Sequence, residues 1–255
     1  MFFDIETSYC QGWFWQPSFN TQITYDQIIK DSAIICICWK WEGSKKVHHL
    51  EWNKGDDKRM INKFVKELAE ADEVIGHNGD RFDLKWVRTR LLFHGHKSIP
   101  EIRSIDTLKI SRNKFKFPSN RLDAIGKYLG LGGKMDTGGI QLWHDIIQKN
   151  SKAAMAKMVK YCKRDVVLLE EVYKKLEGFT KHKTHIGIQE GNSPCSCPSC
   201  ANEKTHMKRR FVSPTGTIKV QLRCSNPECK RFFLVSLKHY NDRMSRKKNK
   251  YAKIK

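Results

Sequence analysis

The chain has 255 residues, with 48 lysines and arginines against 27 acids, a formal charge of +21. That length suits one well-buried domain and a smaller appendage, and the charge favours polyanions, nucleic acid first. No stretch approaches the ~18 apolar residues of a membrane span, and no Lys-rich stripe backs a large apolar face. The opening Met1-Phe2-Phe3-Asp4 is no signal peptide. Nine cysteines, five of them between Cys195 and Cys229 at metal-ligand spacings, fit a reducing cytoplasm better than a disulfide scaffold. Cys10, Cys36, Cys38 and Cys162 then read as ordinary small residues.

Phe2 to Ile5 reads as a short strand, and Ala33 to Trp41 with Lys46 to Trp52 as a hairpin turning through Glu42-Gly43-Ser44. Residues 8–31, with Trp13, Phe14, Trp15, Phe19 and Tyr25, are too many for a plain connection. They are expected to pack on the sheet as a lid, the alternative being a base-stacking surface. Ile61, Phe64, Val65 and Leu68 recur at helical spacing, Val74-Ile75-Gly76 is a brief buried strand, and Phe82 to Phe93 is a second helix stopping near Gly95. Ile102 to Ile105 is the next strand, and Asp106 is expected to cap the turn after it. Asn120 with Asp123 predicts a capping box for a helix that ends at Leu129-Gly130. The last helix of the large domain spans about Ser151 to Leu176, its buried face marked by Met158, Cys162, Val166, Leu169, Val172 and Leu176. The alternation is that of an α/β domain.

Asp4 and Glu6 lie two apart on the first strand, so both project from one face and can share a cation. Alone, the pattern is common on exposed strands. Asp83, taken alone with Asp80, reads as a cap near the positive end of a helix dipole. Tyr161 and Asp165 share one helix face, and Asp165 falls inside an apolar arc. A buried carboxylate there is costly unless a cation or donors compensate it. Acids on a strand, a helix start and a late helix can converge at one sheet edge, where they hold two Mg²⁺ (or Mn²⁺) ions about 4 Å apart for in-line phosphodiester cleavage.

At these residues the chain resembles a known family. Asp4-Ile5-Glu6-Thr7, Asn78-x-x-x-Phe82-Asp83 and Tyr161-x-x-x-Asp165 resemble the three motifs of the DEDDy branch of DnaQ-like 3′-5′ exonucleases. Asp106-Thr-Leu, Ser119-Asn-Arg-Leu-Asp123 through Gly130, and Leu142-Trp143 are similar to proofreading domains of family B DNA polymerases, and more so to stand-alone YprB-like ribonuclease H-like proteins. The resemblance covers residues 1–177 and implies a ribonuclease H-like mixed sheet flanked by helices. It implies that Asp4 bridges two metals, Glu6 and Asp165 hold the nucleophile-side ion, Asp83 supports the second, and Tyr161 orients the attacking water. Thr7, Asn78 and Phe82 are implied to lie near the terminal nucleotide; alternatively Phe82 is a core anchor and Asn78 a turn residue. Only three residues precede Asp4, so either the start of translation lies upstream or the strand is trimmed, and a central strand that short is expected to pair poorly.

Cys197-Pro-Ser-Cys200 and Cys224-x4-Cys229 enclose a segment in which Ile218, Val220 and Leu222 alternate with Lys219, Gln221 and Arg223 after a turn at Pro214 to Gly216. Four thiolates on two knuckles predict a closed, structural Zn²⁺ site and a small zinc ribbon. Cys195 and His206 are poorer ligands by spacing and are left out. Lys208, Arg209, Arg210, Lys219, Arg223 and Arg231 with Phe232 and Phe233 suit phosphate contact. The expected organisation is a nuclease domain over residues 1–178, a linker over 179–194, the ribbon over 195–237 and a disordered basic tail over 238–255. Residues 178–255 carry 18 basic and 4 acidic side chains, +14 of the total charge.

The expected activity is metal-dependent 3′-5′ exonucleolytic hydrolysis, with the ribbon and tail binding the substrate. Single-stranded or 3′-ended DNA is favoured, RNA is an alternative, and replication or repair proteins are candidate partners. The rivals are a structure-specific endonuclease on the same fold, against which Tyr161 counts, and a non-catalytic nucleic-acid-binding protein, against which the full set of acids counts.

Overall fold

The computed structural model describes residues 1–16, 21–133, 135, 138–180 and 184–252, with side chains as far as Arg246. It divides into two units, Met1–Phe179 and Thr180–Lys255.

In the first unit the elements in chain order are β1 (Phe2–Thr7), β2 (Gln11–Gly12), β3 (Ile28–Lys30), β4 (Ile34–Lys40), β5 (Val47–Glu51), α1 (Lys58–Ala69), β6 (Glu73–Gly76) and α2 (Asp83–Phe93). Then follow β7 (Arg103–Asp106), α3 (Thr107–Lys114), α4 (Leu122–Tyr128), α5 (Ile140–Ile147) and α6 (Lys152–Leu176). Five strands form one mixed sheet in the order β5-β4-β1-β6-β7. β4 is antiparallel to both β1 and β5, while β6 runs parallel to β1 and β7. β1 pairs with β4 from Phe2↔Lys40 through Thr7↔Ile34, so a strand expected to pair poorly pairs along its whole length on that side. Towards β6 it makes the single pairing Phe2↔Ile75, and the Met1 ammonium donates to Glu73 O at 2.7 Å.

A continuous run of buried residues in β4, Ile34 to Trp39, fits a strand covered on both faces. α6 supplies one cover. Its Met158, Cys162, Val166, Leu169, Val172 and Leu176 are all buried, Phe2 meets Tyr173 edge to face at 5.7 Å between ring centroids, and Lys40 of β4 pairs with Glu170. α1 lies on the opposite side with Met60, Ile61, Phe64 and Leu68 buried, and Phe64 contacts Phe3 and Trp39.

Two local expectations are corrected in this unit and a third is refined. The capping box at Asn120 and Asp123 does not form: α4 starts after Arg121 with no side-chain cap, because Asp123 pairs instead with Lys127 at 2.9 Å. Asp83 does stand in the first turn of α2, near the positive end of its dipole, but it is not merely a capping residue, because it accepts from Ile5 N of β1 at 3.1 Å, while Asp80 accepts from Lys109 Nζ at 2.5 Å. The aromatic stretch is no lid packed on the sheet, since Trp13 is 71% and Trp15 101% exposed, with Phe14 and Tyr25 also exposed. β2 and β3 pair with each other and Trp13 N donates to Gln27 O at 2.8 Å, so these backbone groups pair within the loop while the rings of Trp13, Phe14, Trp15 and Tyr25 are left exposed. Phe19 lies outside the described residues.

The second unit contains α7 (Ile186–Gln189), a three-stranded antiparallel sheet ordered β10-β9-β8, with β8 (Thr205–Val212), β9 (Ile218–Cys224) and β10 (Phe232–Ser236), and α8 (Leu237–Ala252). Val220, Leu222, Val235 and Cys195 make its small core, and Leu237 and Tyr240 of α8 pack on it. In the segment expected as a linker, the described residues are tied into this unit, since Ile186 N donates to Pro198 O at 3.0 Å and Thr184 and Gly187 are buried. The segment from residue 238 to Ala252 is helical, and Tyr240 near its start packs on the sheet; Lys253 to Lys255 lie outside the described residues. Among the described residues no helix is long and apolar enough to cross a membrane.

Candidate active site and metal centre

β1 projects Asp4 and Glu6 to the same side, and α6 delivers Asp165 onto it. One carboxylate oxygen from each lies within 4.8 Å of the other two. Hard cations bind carboxylate oxygens at about 2.0–2.6 Å, so oxygens sharing an ion lie within roughly 4–5 Å of each other, and the trio fits that requirement. Asp165 is fully buried and Asp4 and Glu6 are half-buried, which raises the electrostatic value of a cation there. Asp83 is buried beside the strand, its Oδ1 accepting from Ile5 N at 3.1 Å. It therefore flanks the Asp4-Ile5-Glu6 backbone, but it does not belong to the three-acid group.

Packing explains how Asp83 gets there. A Cβ on Gly79 would sit 3.1 Å from Gly76 Cα, and one on Gly76 3.0 Å from Gly79 Cα. The chain leaving β6 doubles back closely enough that only hydrogens fit between the two residues. Asn78, between them, has φ +68°, a left-handed conformation that asparagine tolerates better than most residues. Asp106 fixes it by accepting from Asn78 N at 2.9 Å and from Leu108 N at 3.0 Å, so Asp106 is the helix cap expected of it.

Tyr161 and Asn78 line one cleft of about 470 Å³ together with His77, Arg112, Asn120 and Arg121. His77 Nε2 donates to Asn120 O at 2.9 Å. Arg112 and Arg121 set two guanidinium groups, which pair well with phosphate oxygens, on the wall of the cleft against the single carboxylate of Asp123. Neither arginine was singled out in the sequence, where each is one of many basic residues. Phe82 is 40% exposed and touches Trp86 edge to face, so it is no core anchor. Thr7 is tied through its carbonyl, which accepts from Trp143 Nε1 of α5 at 3.0 Å.

One contact was missed in the sequence. Cys162 Sγ lies 3.5 Å from Asp4 O and 3.7 Å from Asp4 Oδ2. Burial pushes the Cys162 thiol well above its ordinary range, so it stays protonated and donates to Asp4. Its place one turn before Asp165 was legible, but Asp4 as its neighbour was not.

In the second unit Cys197, Cys200, Cys224 and Cys229 present four sulfurs within 4.8 Å of one another. The Cys197–Cys229 and Cys200–Cys224 sulfur separations are both 3.6 Å. A tetrahedral Zn²⁺ with Zn–S of about 2.3 Å places its sulfurs roughly 3.8 Å apart, so the set has the size of a zinc site. Ser199 N and Asn226 N donate to the Cys197 and Cys224 sulfurs at 3.5 and 3.4 Å, as backbone N–H groups around metal-bound thiolates do. Cys195 is turned away into the small core, and His206 bonds Ser225.

A mixed sheet with strand order 5-4-1-6-7, acids on its first strand and a long acid-bearing helix across it define a ribonuclease H-like α/β protein. Residues 24–177 match the family model of the RNase_H superfamily, and the chain belongs to that superfamily. It is also similar to a DNA polymerase III PolC-type from Ureaplasma parvum serovar 3 (strain ATCC 700970), 40% identical over 75 residues. That stretch is 29% of this chain and spans only 5% of the relative's length.

Proposed function

We propose that the protein is a metal-dependent 3′-5′ exonuclease of the DEDDy pattern, hydrolysing nucleic acid without a covalent enzyme intermediate. The observation that carries the proposal is the convergence of Asp4, Glu6 and Asp165 within 4.8 Å, with Asp83 held against the backbone between the first two. Asp4, Glu6 and Asp165 would hold one divalent cation, and Asp4 with Asp83 a second. Bound there, two Mg²⁺ or Mn²⁺ ions supply an activated water and a stabilised leaving oxygen. Tyr161, at the cleft edge, orients that water by its hydroxyl. Arg112 and Arg121 hold phosphates of the incoming strand, Asn78 binds near the terminal sugar, and exposed Phe82 stacks on the terminal base. The Asp4 carboxylate is positioned for this by Cys162. The cysteine quartet holds one structural Zn²⁺, and the basic second unit binds substrate. The name of the polymerase relative favours DNA, and with it partners in replication or repair.

Matched 3′-labelled DNA and RNA strands, incubated with Mg²⁺ or with EDTA, test the proposal. Mononucleotides released from the 3′ end only with Mg²⁺ are expected, whereas internal nicks at early times would assign an endonuclease. Asp4→Ala and Asp165→Ala should each lower the rate on the order of 10³-fold, since metal stabilisation of the transition state is worth several kcal/mol. Equal residual cleavage in wild type and both variants would leave only a nucleic-acid-binding protein.

A further inference from the structure

The sheet of the second unit has one face that nothing in that unit's core requires. Val220, Leu222 and Val235 point to the side on which Leu237 and Tyr240 of α8 pack. By strand registers the other face carries Arg223 beside Phe232, Gln221 between Arg209 and Leu234, and Lys219 beside Phe211. These apolar groups are exposed: Phe211 41%, Phe232 53% and Leu234 45%. None of the positions on this face is acidic.

Two details make the face more than a charged surface. Arg223 Cζ sits 5.2 Å from the Phe232 ring centroid, and Arg209 Nε donates to Gln221 Oε1 at 3.1 Å, so one cation is held against a ring and a second is held in place on the same face. The same face opens into a groove of about 480 Å³ lined by Lys219, Gln221, Phe232 and Leu234. Phe211 and Phe232 lie on the two outer strands, two strand spacings apart and four residues apart along β9, roughly 16 Å in all. Bases in a duplex have both faces occupied by stacking and offer nothing to such rings, whereas an unpaired strand presents every base face.

We propose that this face binds single-stranded nucleic acid, with bases stacked on Phe211 and Phe232 and phosphates held by Arg209, Lys219 and Arg223. It deepens the proposed function, on whose basic second unit it rests, by naming the surface and the strandedness of the substrate it holds.

The test uses the full chain carrying Asp165→Asn, so that the probe is not consumed, with a 5′-labelled dT20 and a 20-base-pair duplex. Phe211→Leu with Phe232→Leu should weaken dT20 binding about 10- to 100-fold and leave duplex affinity and zinc content unchanged. Arg209→Gln, Lys219→Gln and Arg223→Gln together should make the slope of log K against log salt shallower by about 2, as expected for three lost phosphate contacts to a single strand. Equal dT20 affinity in the double phenylalanine variant with one zinc retained, or tighter binding of the duplex by the parent, would overturn the proposal. Loss of zinc in that variant would be met by Phe232→Tyr, which keeps a stacking ring and should bind like the parent; weak binding by it also counts against stacking. Failure of the nuclease reading would show separately, as absence of cleavage by the protein with all its acids, and these titrations would still decide the binding face.

Discussion

Asp57 illustrates at the residue scale how a charge is kept inside the first unit. It is fully buried, and burial opposes its ionisation. Hydrogen bonds from Arg90 at 2.7 and 2.8 Å, from His94 at 2.6 Å and from Ile34 N at 3.1 Å outweigh that and hold its carboxyl below the ordinary range. A depressed carboxyl contributes stability that is complete above the unfolded value near ~3.9 and is lost as pH falls through the folded value. The loss of stability as pH falls below about 4 should therefore be shallower in Asp57→Asn than in the parent, as read from urea denaturation followed by circular dichroism at a series of pH values. Breaking a buried pair costs more than the pair contributes, because the remaining charge is stranded. Arg90→Met should accordingly lose about 3 kcal/mol in urea denaturation, and a loss under 1 kcal/mol would show that His94 and Ile34 N suffice. The contrast with Asp165 is instructive: both aspartates are fully buried, but Asp57 faces a guanidinium, while Asp165 faces two further carboxylates.

At the scale of elements, the site depends on how tightly β6 turns into α2. Gly79→Ala forces a Cβ to within 3.1 Å of Gly76 Cα, a contact with backbone that cannot rotate away. The turn must open, moving Asn78 and Asp83, the residues it positions. The expected outcome is a drop in kcat of at least about 10-fold, since ångström-scale misplacement has large kinetic effects, with a loss of stability of ~1–3 kcal/mol. Steady-state cleavage kinetics with thermal unfolding check it; unchanged kcat would mean that the turn tolerates expansion without displacing Asp83. Gly126 is a second such point, where a Cβ would meet Leu168 Cδ1 at 2.7 Å, so α4 lies directly against α6.

At the scale of the whole molecule, the two units differ in what stabilises them. Residues 1–179 have an extensive core running through β1, β4, α1 and α6, whereas among the described residues the hydrophobic core of the second unit is the small cluster of Cys195, Val220, Leu222 and Val235. A core that small does not sustain a fold without a staple, and the zinc proposed at the cysteine quartet would supply one. Removing the metal with a strong zinc chelator should unfold the second unit and leave the first intact. Limited proteolysis should then yield a stable fragment ending near residue 180, with an unfolding midpoint matching that of the first unit in the untreated protein. Unfolding of the entire chain, or resistance of both units, would contradict this division. The charge is divided in the same way, +14 on residues 178–255 and +7 on residues 1–177, so loss of the second unit should weaken nucleic-acid binding more than it slows turnover of bound substrate.

Periodicity and spacing by themselves determined the α/β alternation, the buried arc of α6 with Asp165 inside it, and the two cysteine knuckles. These are local properties: a two-residue or 3.6-residue repeat, and ligands close in the chain, leave their trace in the sequence. Only the tertiary structure decided that Asp4, Glu6 and Asp165 form the compact group while Asp83 stands against the Ile5 backbone, that Asp123 pairs with Lys127, and that Cys162 donates to Asp4. It also decided that the aromatics of the 8–31 loop face outward and that residues 238–252 are helical. Each of these turns on which partner a side chain meets across the fold, at a sequence separation of 158 for Asp4 and Cys162, and an isolated stretch of sequence does not encode that meeting.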